Sequence, residues 1–128
     1  MTAVRIIVWI ARIAGVGALL LGLLFWIVQI DLISLHMLLG IAFGLALLLL
    51  SIGMLFTAGM RLLGAIGIVY AFILPIFGLT QTRLLIGNLH WLIQVAHLLL
   101  GLGALTLVQG IYTRYVRLKA ETVPNVSF

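Results

Sequence analysis

The chain consists of four long apolar runs joined by short polar breaks, a pattern that few folds accept. The runs cover about residues 5–28, 33–58, 62–79 and 85–116, close to or above the roughly 20 helical residues that cross ~30 Å of hydrocarbon. In that medium each backbone N–H and C=O must be satisfied within its own segment, so the runs are predicted to be helices. Hydrophobic residues make up 66% of the 128 and charged residues 7%, too few polar groups to cover a water-soluble domain. The predicted fold is therefore all-α and integral to a membrane. It is a single domain over 1–128, a four-transmembrane-helix antiparallel bundle, with residues 119–128 read as a disordered tail. The first run is far longer than the roughly 7–15 apolar residues of a signal peptide and is read as a retained span.

Charge orients the bundle. If the spans alternate, Arg5, Arg12, Arg61, Arg114, Arg117 and Lys119 fall on one side, and only Arg83 and Asp31 fall on the other. The positive-inside rule then places both termini in the cytoplasm, with a bacterial cytoplasmic membrane as the expected location. The net charge of +5 thus has an explanation that involves no nucleic acid, since no soluble basic face presents it. Arg12, two turns inside the first span, is expected to snorkel to the cytoplasmic headgroups beside Arg5, with contact to a lipid or quinone headgroup as its functional alternative. Small residues at 11, 14, 15, 18 and 22 suit close helix packing, and Trp9 and Trp26 mark the two interfaces of that span.

Chemistry has few carriers. The absence of cysteine excludes disulfides, thiolate metal sites, iron–sulfur clusters and thioether-bound haem, so metal binding must use histidine. No carboxylate lies within a span, and no glycine-rich phosphate loop is present, so hydrolase and transferase readings have no support. The three histidines are His36, in the second span, and His90 and His97, in the fourth. At about 100° per residue, Gly87, His90, Gln94, His97 and Gly101 share one face of the fourth run. Ionisable groups inside a bilayer are costly and tend to face the bundle interior or bind something.

Two histidines on different helices can hold one metal only at similar depth. His36 lies 25 residues before Arg61 and His90 lies 24 before Arg114, heights that agree within a turn. His97 is seven residues further on, about 10 Å deeper. Against this, the glycine four residues beyond the histidine, which makes room for a flat ring, belongs to His36 as Gly40 and to His97 as Gly101. A tilted or protruding fourth span would also raise His97 toward His36. Both pairings, His36–His90 and His36–His97, stay open at this point.

In its four spans, its histidines at 36, 90 and 97 and its His-x-x-x-Gly pairs, the chain resembles the small four-helix membrane cytochromes b. That resemblance implies one haem b held by two histidines and electron transfer near the extracytoplasmic face. It also implies contact with quinone or another redox protein. Gly40, Gly101 and Gln94 would border the ring, and Arg83, beside Thr80, Gln81 and Thr82, would meet its propionates. A two-haem relay would need four histidines, and this chain has three unless Met37 served as an unusual ligand.

Other classes fit parts of the pattern. An accessory or assembly subunit of a larger membrane complex, or a homo-oligomer, would use the polar stripe for contact and need no cofactor. Chlorophyll-type pigments can be held by single histidines, but the alanine usual four residues before the histidine is replaced by Leu32, Ile86 and Ile93. Small multidrug exporters depend on an acidic residue in the first span, and here there is none.

Overall fold

A computed structural model describes residues 2–80 and 87–122. It contains four helices: α1 (Thr2–Leu23), continued by a π-helical turn (Leu24–Val28), α2 (Ile33–Leu55), α3 (Arg61–Thr80) and α4 (His90–Thr122). Each is long and apolar enough to cross a membrane, α1 being counted with its π turn. Large apolar side chains such as Ile13, Ile27, Leu38 and Leu62 face outward, more than 60% exposed. An apolar surface this extensive suits lipid and not water.

The helices run up and down. α2 lies against both α1 and α3, and α4 closes the square by touching α1 and α3, so α2 and α4 face each other across a diagonal. Both helices that begin or end the chain point their outer ends the same way as the α2–α3 turn, and this end is called the termini end below.

Several boundaries depart from the sequence reading. α1 begins at Thr2, α2 stops at Leu55, and α4 runs on through Thr122, so residues 119–122 are helix and not part of a disordered tail. Lys119 there stacks 5.5 Å from the Tyr115 ring, which helps hold the last turns. Gly87, at φ 107°, lies in the turn before α4 and not on its face. Gly78 lies in the last turns of α3, as the third apolar run implies.

The bundle is packed tightly toward the termini end. Val8, Ala11 and Ala14 of α1 meet Leu47, Leu50 and Met54 of α2, and Ala104, Val108 and Ile111 of α4, all nearly or fully buried. Small residues on α1 and α3 face large ones on α2 and α4, which is how antiparallel helices approach closely where lipid provides no hydrophobic driving force. The closest approach is between α2 and α3. A Cβ added at Gly64 would stand 2.7 Å from the Ser51 carbonyl oxygen, and one at Gly67 would overlap Ser51 Oγ. The α2–α3 turn closes with Gly59 at φ 83°, in the left-handed region that glycine tolerates, and with Met60 fully buried.

Toward the other end the packing opens. There α1 gives way to its π turn, whose Phe25 and Trp26 border a cavity, and Gln29 ends the segment at φ 62°. Its side-chain amide donates to the Trp26 carbonyl (2.8 Å), one of the acceptors that the helix end leaves without a partner.

Candidate cofactor site

The cavity has a volume of about 370 Å³ and lies between all four helices. Its walls are mostly apolar, and its polar groups come from three positions already named in the sequence: His36 from α2, and Gln94 and His97 from α4. Met37, Trp26 and Pro75 also border it. Gly40 and Gly101, each one turn beyond its histidine, line the cavity, and a Cβ added at either would meet nothing within 4 Å.

The structure brings His36 and His97 together. Their ring centres are 6.1 Å apart with the planes at 75°. A metal held between two imidazole nitrogens keeps each at about 2 Å, and the ring centres lie further out, so the observed separation has the right scale for a shared metal. His36 Nδ1 stands 2.6 Å from the Ala18 carbonyl oxygen of α1. A carbonyl only accepts, so Nδ1 carries the proton and Nε2 is left with the lone pair. A carbonyl at Nδ1 fixes the tautomer and ring direction of a metal-binding histidine in this way.

His97 is held differently. Its ring stacks on Phe77 of α3, with centres 5.9 Å apart and planes within 7°, and its buried Nδ1 has no hydrogen-bond partner among the described residues. Each ring is admitted by a glycine of a neighbouring helix. A Cβ at Gly22 would come within 3.0 Å of His36 Cε1, and a Cβ at Gly78 within 3.2 Å of His97 Cε1. Neither clearance was visible as such in the sequence. Gly22 reads there as one more packing residue and Gly78 as the end of the third apolar run. The signal available was that both sit on odd-numbered spans at the height of a histidine on an even-numbered one.

His90 is the first residue of α4, half-buried, and does not border the cavity. Matching His36 to His90 rested on equating the levels of Arg61 and Arg114. In the structure the α2–α3 turn lies beside Leu118 instead: a Cβ at Gly59 would be 3.2 Å from Leu118 Cδ1. From Gly59 back to His36 is 23 residues and from Leu118 back to His97 is 21, so those two histidines share a level. α4 protrudes by about a turn at the termini end, and the whole helix is shifted accordingly. Arg83, with Gln81 and Thr82, lies outside the described residues; Thr80 Oγ1 donates to the Ile76 carbonyl of its own helix (2.8 Å).

Arg12 makes contacts with α4 that the sequence did not indicate. Its Nη2 donates to Gln109 Oε1 of α4, and its guanidinium lies 5.1 Å from the Trp9 ring centre and 5.3 Å from that of Tyr112. It is held across the α1–α4 seam.

Among the described residues no group of three or more His, Cys, Asp or Glu side chains converges as metal ligands do. Two imidazoles suffice where the remaining coordination comes from a macrocycle of the metal's own. Comparison with models of protein families, with curated proteins and with solved structures finds no match to this chain.

Proposed function

We propose that this chain is a four-span membrane protein that binds one haem b between α2 and α4, where His36 and His97 would hold it, and that it passes electrons near the extracytoplasmic face. The observation that carries this reading is the pair of imidazoles 6.1 Å apart across a cavity, one with its Nδ1 at a backbone carbonyl. The donor set fits the group: two imidazoles, a mostly apolar lining, and open space at Gly40 and Gly101. When bound, haem supplies a reversible one-electron change at its iron. The chain's own residues set the conditions. Ala18 orients His36, Phe77 and Gly78 hold the plane of His97, and the mostly apolar walls lower the local dielectric around the two imidazoles. Gln94 provides a hydrogen-bonding group in a lining otherwise short of them.

The charge distribution supports a topology with both termini in the cytoplasm of a bacterial cell, which puts the histidine end of the bundle toward the outer face. Electron exchange at that face would be with quinone or another redox protein. An accessory subunit without a cofactor has no use for an open interior lined by two histidines, and this favours the haem reading over it. Purification from haem-replete cells tests the proposal: one extractable haem b per chain is expected, and a colourless, folded protein refutes it.

A further inference from the structure

One face of α4 changes character along its length. Leu102 is exposed and apolar; beyond it, Thr106, Gln109, Gly110, Thr113, Arg114 and Arg117 follow at three- and four-residue spacing and form a shallow groove, all of them exposed. The order, from mid-helix to the termini end, is apolar, then uncharged polar, then cationic. From Leu102 to Arg117 is about 22 Å of helix, close to half of a bilayer ~40–45 Å thick with its headgroups.

That sequence of surfaces matches one leaflet of phospholipid. We propose that this groove binds an anionic phospholipid, with an acyl chain along Leu102 and Thr106, ester and glycerol oxygens at Gln109 and Thr113, and the phosphate at Arg114 and Arg117. The polar middle is built and not incidental. Gln109 accepts from Arg12 through Oε1 and donates to Thr113 Oγ1 through Nε2 (3.4 Å), so the seam with α1 is tied into the groove. Gly110 leaves the centre of the groove flat, since a Cβ there would meet nothing within 4 Å.

Charge selects the occupant. The only acidic side chains are Asp31 and Glu121, and of these only Glu121 lies at the termini end, so the cations there outnumber the carboxylates and an external anion would balance them. Phosphate matches the forked donors of arginine, and basic clusters at the cytoplasmic ends of spans hold anionic lipid headgroups. A second copy seated here in parallel would set Arg114 and Arg117 against themselves. The site depends on the membrane reading and is independent of haem.

The test uses the full chain in nanodiscs of phosphatidylcholine doped with phosphatidylglycerol, counting the lipid each chain retains after detergent extraction. Preferential retention of phosphatidylglycerol is expected. Arg114→Gln and Arg117→Gln should each lower it about fivefold, the factor that accompanies roughly 1 kcal/mol per basic residue at an anionic surface. Arg61→Gln, equally exposed but at the α2–α3 turn, should leave it unchanged. Retention in a colourless preparation still supports the site. Equal loss in Arg61→Gln would assign the effect to general surface charge and overturn it, as would equal retention of both lipids. Displacement by inorganic phosphate alone would overturn the role of the apolar stretch. A disulfide-linked dimer formed by Gly110→Cys would give the face to a second copy instead.

Discussion

Gly64→Ala adds one methyl group directly against the backbone of the neighbouring helix, and its cost can be worked from the geometry. The new Cβ would stand 2.7 Å from the Ser51 carbonyl oxygen and 2.9 Å from the Leu55 nitrogen. The first of these is 0.7 Å short of the 3.4 Å at which ordinary contact begins. Both neighbours are backbone, so no side chain can swing aside and α2 and α3 must separate. A gap of about 0.5–1 Å already forfeits a quarter to a half of the dispersion attraction between the atoms concerned. Overpacking of this kind costs about 1–3 kcal/mol, offset by the ~0.5–1 kcal/mol that alanine gains over glycine inside a helix. Gly53→Ala is the internal control: it sits in the same helix as Ser51, outside the cavity, meets nothing, and keeps only the gain. The difference between the two variants therefore isolates the packing cost, ~1–3 kcal/mol. Unfolding by sodium dodecyl sulfate, followed by helical circular dichroism, measures it. Equal midpoints for Gly64→Ala and Gly53→Ala would refute the close α2–α3 approach, and with it the clamp that sets the register of α2 and the height of His36.

Further outcomes follow from the same contacts. Gly67→Ala should destabilise by a similar amount and be partly rescued by Ser51→Gly, because its Cβ would overlap the Ser51 hydroxyl; absence of rescue in the same titration contradicts the contact. Gly22→Leu should leave the protein folded by circular dichroism yet weaken haem binding about 10–100-fold in a haem titration, since the side chain displaces His36 from the Ala18 carbonyl. A double-mutant cycle of Arg12→Gln and Gln109→Leu should show a coupling of ~0.6 kcal/mol, at most ~1.7, the range found for hydrogen bonds between membrane helices. Because the chain has no native cysteine, Asn88→Cys should react with an impermeant maleimide on intact cells and Glu121→Cys should react only after lysis; the reverse pattern would invert the topology.

The element pattern was legible because hydropathy alone dictates it: an apolar run in lipid has no alternative to a helix. The ends were not, because α4 continues past its apolar stretch through Tyr115, Lys119 and Glu121, where ordinary helix propensity takes over from hydropathy. That overrun also defeated depth counting. Arg114 is a sound marker of an interface only if the helix stops near it, and Leu118 is what actually faces the α2–α3 turn. His36, Gln94, His97, Gly40 and Gly101 were found as a group because polar and small residues at helical spacing stand out in a leucine-rich chain. Ala18, Gly22, Phe77 and Gly78 were not, since a backbone carbonyl, two glycines and a phenylalanine carry no such signal until a histidine is placed against them. The π turn at Leu24–Val28 has no proline or glycine to announce it.

The central claim is that His36 and His97 together hold one haem. The reduced-minus-oxidised visible spectrum of the purified protein and of its three histidine variants tests it most directly. A b-type band is expected in the wild type and in His90→Ala, and its loss in both His36→Ala and His97→Ala. A band that survives His97→Ala but disappears in His90→Ala would contradict the account.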